Sequence, residues 1–124
     1  MSKKYELTDE TVIVDEHILH RIRAIRDIEY IYKGDLGGFI EAERNLSHEG
    51  NCWVYCNGKV YGDAHISGNV KIFHYVSVCG NTYILGDFKL YKRLKLYSGI
   101  WDLAVVKGDE CYLISTTLQK LLLE

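Results

Sequence analysis

Five histidines, four cysteines and a run of carboxylates are the side chains here that could do chemistry. An imidazole acts as a general base near neutral pH or ligates a metal. His17, His20 and His48 precede the most regular part of the chain; His65 and His74 lie within it. A three-histidine metal site would need a further ligand converging on that pair, and the spacing supplies none. Cys52-x-x-x-Cys56 passes the spacing of a zinc pair, but no second pair follows. With Cys79 and Cys111 these residues read as small buried thiols. Asp35, Glu41, Glu43 and Glu49 form an acidic cluster. Acid–base work needs two carboxylates fixed in a pocket, and the spacing shows only a solvated loop. Gly34-x-x-Gly37-Gly38 lacks the following Lys-Ser/Thr of a phosphate-binding loop. No catalytic residue, metal ligand or cofactor is therefore expected.

What must position these side chains is a repeat. From Asn51 the chain divides without a gap into NCWVYC, NGKVYG, DAHISG, NVKIFH, YVSVCG, NTYILG, DFKLYK and RLKLYS. The fourth position is always aliphatic: Val54, Val60, Ile66, Ile72, Val78, Ile84, Leu90 and Leu96. The second, mostly small or apolar, points the same way, because alternate strand residues share a face. Gly followed by Asn or Asp gives the freedom a sharp corner needs. A short strand and a corner every six residues predict an all-β fold: a short, single-stranded, triangular parallel β-helix of about 2.7 coils. The corner glycines also sort with a period of three hexads: Cys56, His74 and Lys92 on one face, Gly62, Gly80 and Ser98 on the next, Gly68 and Gly86 on the third. An antiparallel meander, signalled by Asn57-Gly58, is the rival.

The open ends of such a coil need covers. The chain reads as a single domain over 1–124. Residues 1–50 hold a hairpin around Asp15-Glu16-His17, a loop at Lys33–Gly38 and an irregular first coil from Phe39 to Leu46. The eight hexads fill 51–98. Residues 99–124 hold a hairpin of Leu103–Val106 with Cys111–Ile114 and a short amphipathic helix, Thr116–Glu124.

The stretch Lys33-Gly34-Asp35-Leu36-Gly37-Gly38-Phe39-Ile40-Glu41, then Asn45-Leu46-Ser47, then Glu49-Gly50-Asn51-Cys52-Trp53-Val54-Tyr55, resembles the YdcK-like β-helix proteins of bacteria and their phages. Lys4–Thr8 and Arg21–Ala24 match the opening of that family. The resemblance spans roughly residues 4–90. It implies a left-handed hexapeptide β-helix. The family's transferase label derives from fold, which does not by itself fix activity. Hexapeptide acyltransferases commonly carry a loop that breaks the hexads near a general-base histidine; this array has no such insertion. Beyond about residue 87 the corners lose their Gly-Asn pairs and the hexads become rich in lysine.

Outside the coil, the fifth position holds Tyr55, Tyr61, Phe73, Tyr91 and Tyr97. With Trp53, Lys71 and Lys89 they predict an outward aromatic and basic binding face. It either packs beneath the chain's own flanks, joins copies of the chain or takes another partner. The expected function is a non-enzymatic binding or scaffold module: a phage or prophage accessory protein engaging a host or phage macromolecule, such as an anti-defence inhibitor. The alternative is an acyltransferase-like enzyme with its site at a subunit boundary. A homodimer or homotrimer and a protein partner are expected. The net charge of −2 argues against nucleic acid, and no apolar run is long enough to cross a membrane. Without an apolar leader, the cytoplasm is the expected compartment, the host's if phage-encoded.

Overall fold

The computed structural model describes residues 3–91, 93–107 and 110–114. Strands β1 (Tyr5–Val14) and β2 (His17–Ala24) form an antiparallel hairpin. Its two-residue turn, Asp15 and Glu16, takes φ of 49° and 70°, the positive values that suit the twist of a tight hairpin. β3 (Leu36–Ile40) pairs antiparallel with β2. Then come β4 (Trp53–Val54), β5 (Lys59–Val60), β6 (His65–Ile66), β7 (Lys71–Ile72), β8 (Val76–Ile84), β9 (Lys89–Leu90) and β10 (Leu94–Trp101).

These strands pair in parallel, each with the strand three hexads away. Trp53 lies beside Lys71 and Lys71 beside Lys89 on one face; Lys59 lies beside Ser77 on the second; His65 lies beside Tyr83 on the third. Neighbouring hexads are joined by corners, so the meander is excluded. The result is a parallel β-helix of about three turns, consistent with the left-handed sense implied by the resemblance. The fourth-position residues from Val54 to Leu90 are all buried, and so are Cys52, Ala64, Val70, Val76 and Thr82 at second positions.

The first coil is irregular, as expected from Phe39 to Leu46, and its irregularity has a cause. Ile40 stacks on Val60 and Leu46 on Ile66, with a 3-10 turn (Glu43–Asn45) between. The buried Asn45 holds that turn. Its Oδ1 accepts from the amides of Glu41 (3.1 Å) and Ala42 (2.9 Å), and its Nδ2 donates to the carbonyls of Gly62 (3.1 Å) and Ala64 (2.8 Å). Asn45 is thereby fully bonded, sharing the Glu41 amide with the Val60 carbonyl (3.2 Å) and the Gly62 carbonyl with Arg44. A Cβ on Gly38 would lie 2.5 Å from the Gly58 carbonyl and 2.6 Å from Val54 Cγ1, so only glycine lets β3 sit on the first coil.

The corners confirm the glycine sorting. Gly68 (φ 73°) would place a Cβ 2.7 Å from the Gly86 carbonyl one turn away. On the face without glycines, positive φ is carried by Cys56 (40°) and Tyr75 (67°). β8 and β10 run round a corner without interruption, and between Leu96 and Ser98 the pairing of β10 slips by one residue. β11 (Leu103–Lys107) and β12 (Glu110–Ile114) form the second expected hairpin. The helix expected over Thr116–Glu124 falls outside the described residues.

Candidate functional site

The third face carries the most chemically equipped surface. β6 presents His65, and β8 presents Tyr83 one turn along, their rings 6.2 Å apart. Asp63 and Asn81 stack at the corner before them, and Arg44 comes from the 3-10 turn. These five residues line a groove of about 450 Å³, within the size range of small-molecule sites. Its walls are solvated: the Arg44 and Asp63 side chains are 53% and 77% exposed.

His65 is fixed in one orientation. Its Nδ1 lies 2.6 Å from the Arg44 carbonyl, which only accepts, so Nδ1 carries a proton. The neutral ring then has its lone pair on Nε2, the form a general base needs. Arg44 donates from Nε to the Gly62 carbonyl (3.0 Å) and pairs with Glu41 (3.4 Å). Glu41 accepts from the Gly62 amide (2.8 Å) and from His17 Nδ1 (2.9 Å). Burial works to raise the Glu41 pKa, but the bonds from His17 and Gly62 and the charge of Arg44 hold it below the usual range. Two imidazoles therefore share one polar network. His20 Nδ1 meets the Thr8 carbonyl (3.0 Å). His48 accepts from the Lys4 amide at Nδ1 (3.2 Å) and donates from Nε2 to Glu43 (3.0 Å). His74 stays at an exposed corner beside Tyr75.

The aromatic face divides. Tyr55 stacks on Phe73 at 4.6 Å and Phe73 on Tyr91 at 5.0 Å, a continuous ladder. Tyr91, Tyr97 and Lys89 are exposed, and Tyr55 and Phe73 half-buried. Trp53, Lys71 and Tyr61 keep outward hexad positions but are buried beneath the N-terminal flank, so they are not part of an exposed binding face. Ile28 and Ile31 join Trp53 in the main core, beside Tyr5. Lys71 Nζ is taken up by Glu29 (3.3 Å), Asn69 (3.1 Å) and the Asn51 carbonyl. The hairpin tip closes over Tyr61, whose hydroxyl donates to Asp15 (2.5 Å), which also pairs with Lys95 (3.0 Å). Burial and that bond push the Tyr61 pKa far upward. Among the described residues no group of three or more His, Cys, Asp or Glu is placed to hold a metal.

Sequence reasoning placed His65 outward but missed the groove around it. The signal was available: Asp63 with Asn81 and His65 with Tyr83 are each one turn apart. Arg44 was not legible, because it precedes the regular repeat.

Fold and groove together define a class, the hexapeptide-repeat parallel β-helix with a polar third face. No family model matches the chain. It is 45% identical over 56 residues to a protein of Escherichia coli (strain K12) named "Uncharacterized acetyltransferase YdcK". The match takes in 44% of this chain and 17% of that relative's length. This corrects the functional expectation. A non-enzymatic binding module, with a phage accessory or anti-defence role, gives way to the enzymatic alternative, because the relative is named as an acetyltransferase. Among the described residues no helix is long and apolar enough to cross a membrane.

Proposed function

We propose that this chain serves acyl transfer, with His65 as the general base and the groove between the 3-10 turn and β8 as the acceptor site. The observation that carries the reading is the 2.6 Å contact between His65 Nδ1 and the Arg44 carbonyl, which leaves Nε2 as the proton acceptor beside the groove. A hydroxyl or amine acceptor in the groove would give its proton to Nε2 as its oxygen or nitrogen attacks the thioester carbonyl; the C–S bond then breaks, and the departing thiolate takes that proton from the imidazolium and leaves as the thiol. Asn81, Tyr83 and Asp63 supply groups that can orient such an acceptor. The relative's name as an acetyltransferase supports an acetyl thioester as donor. The groove is open along one side, and a second copy set across it would close it, making a dimer or trimer with the site at the boundary.

The test is thiol release from acetyl-coenzyme A with a panel of amino and hydroxyl acceptors, alongside native mass measurement. His65→Ala should lower turnover about 100-fold or more, the usual worth of a positioned base. Unchanged turnover in a folded variant removes His65 from the reaction. A strictly monomeric protein with full turnover removes the second copy.

A further inference from the structure

A fully buried lysine lies against a fully buried cysteine where the N-terminal strand meets the first coil. Lys4 and Cys52 are both 0% exposed. Lys4 Nζ is 3.3 Å from Cys52 Sγ, 2.7 Å from the Cys52 carbonyl and 3.2 Å from the Gly50 carbonyl. Among the described residues no carboxylate hydrogen-bonds it, and its ammonium form would be a buried charge held by two carbonyl dipoles and the thiol. Burial accordingly pulls its pKa below the usual value, which favours the nucleophilic amine. The thiol is one loop from solvent. Sγ sits 3.5 Å from the Ser47 carbonyl and 3.8 Å from that of Glu49, and Glu49 and Gly50 are exposed.

We propose that Lys4 and Cys52 form a reversible covalent crosslink under peroxide, a modification site independent of the acyl-transfer reading. The chemistry balances in two steps. The Cys52 sulfur attacks hydrogen peroxide; an S–O bond forms, the O–O bond breaks, and the thiol becomes a sulfenic acid with release of one water. Sulfur is oxidised by two electrons and the peroxide is reduced. The Lys4 nitrogen lone pair then attacks that sulfur; S–N forms, S–O breaks, and the hydroxyl leaves with an amine proton as a second water. The product, a sulfenamide, ties β1 to the first coil and replaces a buried charge with a neutral bond. An added thiol attacks the Cys52 sulfur and breaks S–N, giving back the Lys4 amine and leaving a mixed disulfide; a second thiol, such as the other sulfur of dithiothreitol, then attacks the added sulfur and releases the Cys52 thiol as the reductant is oxidised to its disulfide.

The pair is suited to this because its two atoms are already in contact and water is excluded. A sulfenic acid formed there meets the amine before it meets solvent. Among the described residues the exposed Cys56 has no lysine hydrogen-bonded to its sulfur.

The experiment uses the full chain with Cys56→Ser and Cys111→Ser, treated with hydrogen peroxide and mapped without reductant. The expected result is an intact mass lower by about 2 Da and a linked peptide joining Lys4 to Cys52, reversed by dithiothreitol. Cys52→Ser and Lys4→Met should each abolish it. A Cys52–Cys79 disulfide, a Cys52 sulfinic or sulfonic acid with Lys4 unlinked, or an unmodified Cys52 would each overturn the proposal. The mapping is made on the chain with both residues intact, so it decides the matter even if Lys4→Met fails to fold.

Discussion

The two ends of the coil are built to the same hexad rule and finished differently. At the first coil, Cys52, Val54, Val60, Ala64 and Ile66 are fully buried beneath β3, the 3-10 turn and the N-terminal hairpin. At the last coil the corresponding Phe88, Leu94 and Leu96 are half-buried, while Leu90 stays buried. A repeat buries only the face its neighbour covers, so a terminal turn draws its stability from its cap. The first coil has glycine at the contact, a fully bonded asparagine and three strands above it. Contribution to stability should therefore fall along the axis, although the side chains stay aliphatic throughout.

The sharpest way to break that comparison is to truncate the same hexad position in the covered part of the coil and at its far end. Ile72→Ala, in the middle turn, should lower stability by about 2–5 kcal/mol, whereas Leu96→Ala should lose less than half as much. Urea unfolding of the two variants decides it, and equal losses would mean that the last turn is as well covered as the middle one.

Asn45→Ala comes next. It removes four hydrogen bonds, although the Glu41 amide keeps the Val60 carbonyl and the Gly62 carbonyl keeps Arg44, and about 1–3 kcal/mol is expected to be lost, concentrated in the first coil. Hydrogen exchange should show faster exchange at Glu41 and Ala42, with the amides of β8 little changed. Gly38→Ala should lose a similar or smaller amount, about 1–3 kcal/mol, from the clash with the Gly58 carbonyl and Val54. A thermal scan that leaves Gly38→Ala at the parent midpoint would show that the first coil tolerates a side chain at the contact.

Acid should act on the N-terminal end first. Glu43 lies below its ordinary value of 4.5 through bonds from Lys3 and His48, and Glu41 is also lowered, by the bonds described above. A carboxylate lowered in the folded state adds stability that is present above its unfolded pKa and is lost as pH falls through the folded one. The loss should begin near pH 4.5 and deepen below it, seen as hairpin amides exchanging before those of β7 and β9. The smallest effect is expected at Tyr91→Ala, at the exposed end of the ring ladder, about 1 kcal/mol or less. A loss as large as that from Ile72→Ala would show the ladder to be part of the core.

The coil was legible because its signal is local: one aliphatic residue every sixth position and glycine sorted by face. Covering is not local, and it is covering that the sequence concealed. Trp53 and Lys71 occupy outward positions by the hexad count, yet Ile28, Glu29 and Ile31 come back to bury them. Nothing at positions 53 or 71 encodes that return. Tyr61 is similar, its partner Asp15 lying 46 residues earlier in a hairpin turn. The groove was half legible, since His65 and Tyr83 share a column, while the carbonyl that sets the tautomer of His65 comes from the irregular coil. The functional expectation leaned on the aromatic stripe, which is conspicuous in a sequence, and it was overturned by the relative named as an acetyltransferase.

The slip in β10 has a consequence for assembly by addition. Leu94 sits beside Val76, but Ser98 sits beside Asn81, so the final lap is shorter by one residue than those beneath it. A further lap laid on that edge in the original cadence would meet its neighbours out of phase, turning aliphatic side chains toward water. Extension at this rim thus calls for a segment that first restores the lost beat, a constraint on what can be joined there in nature or by design.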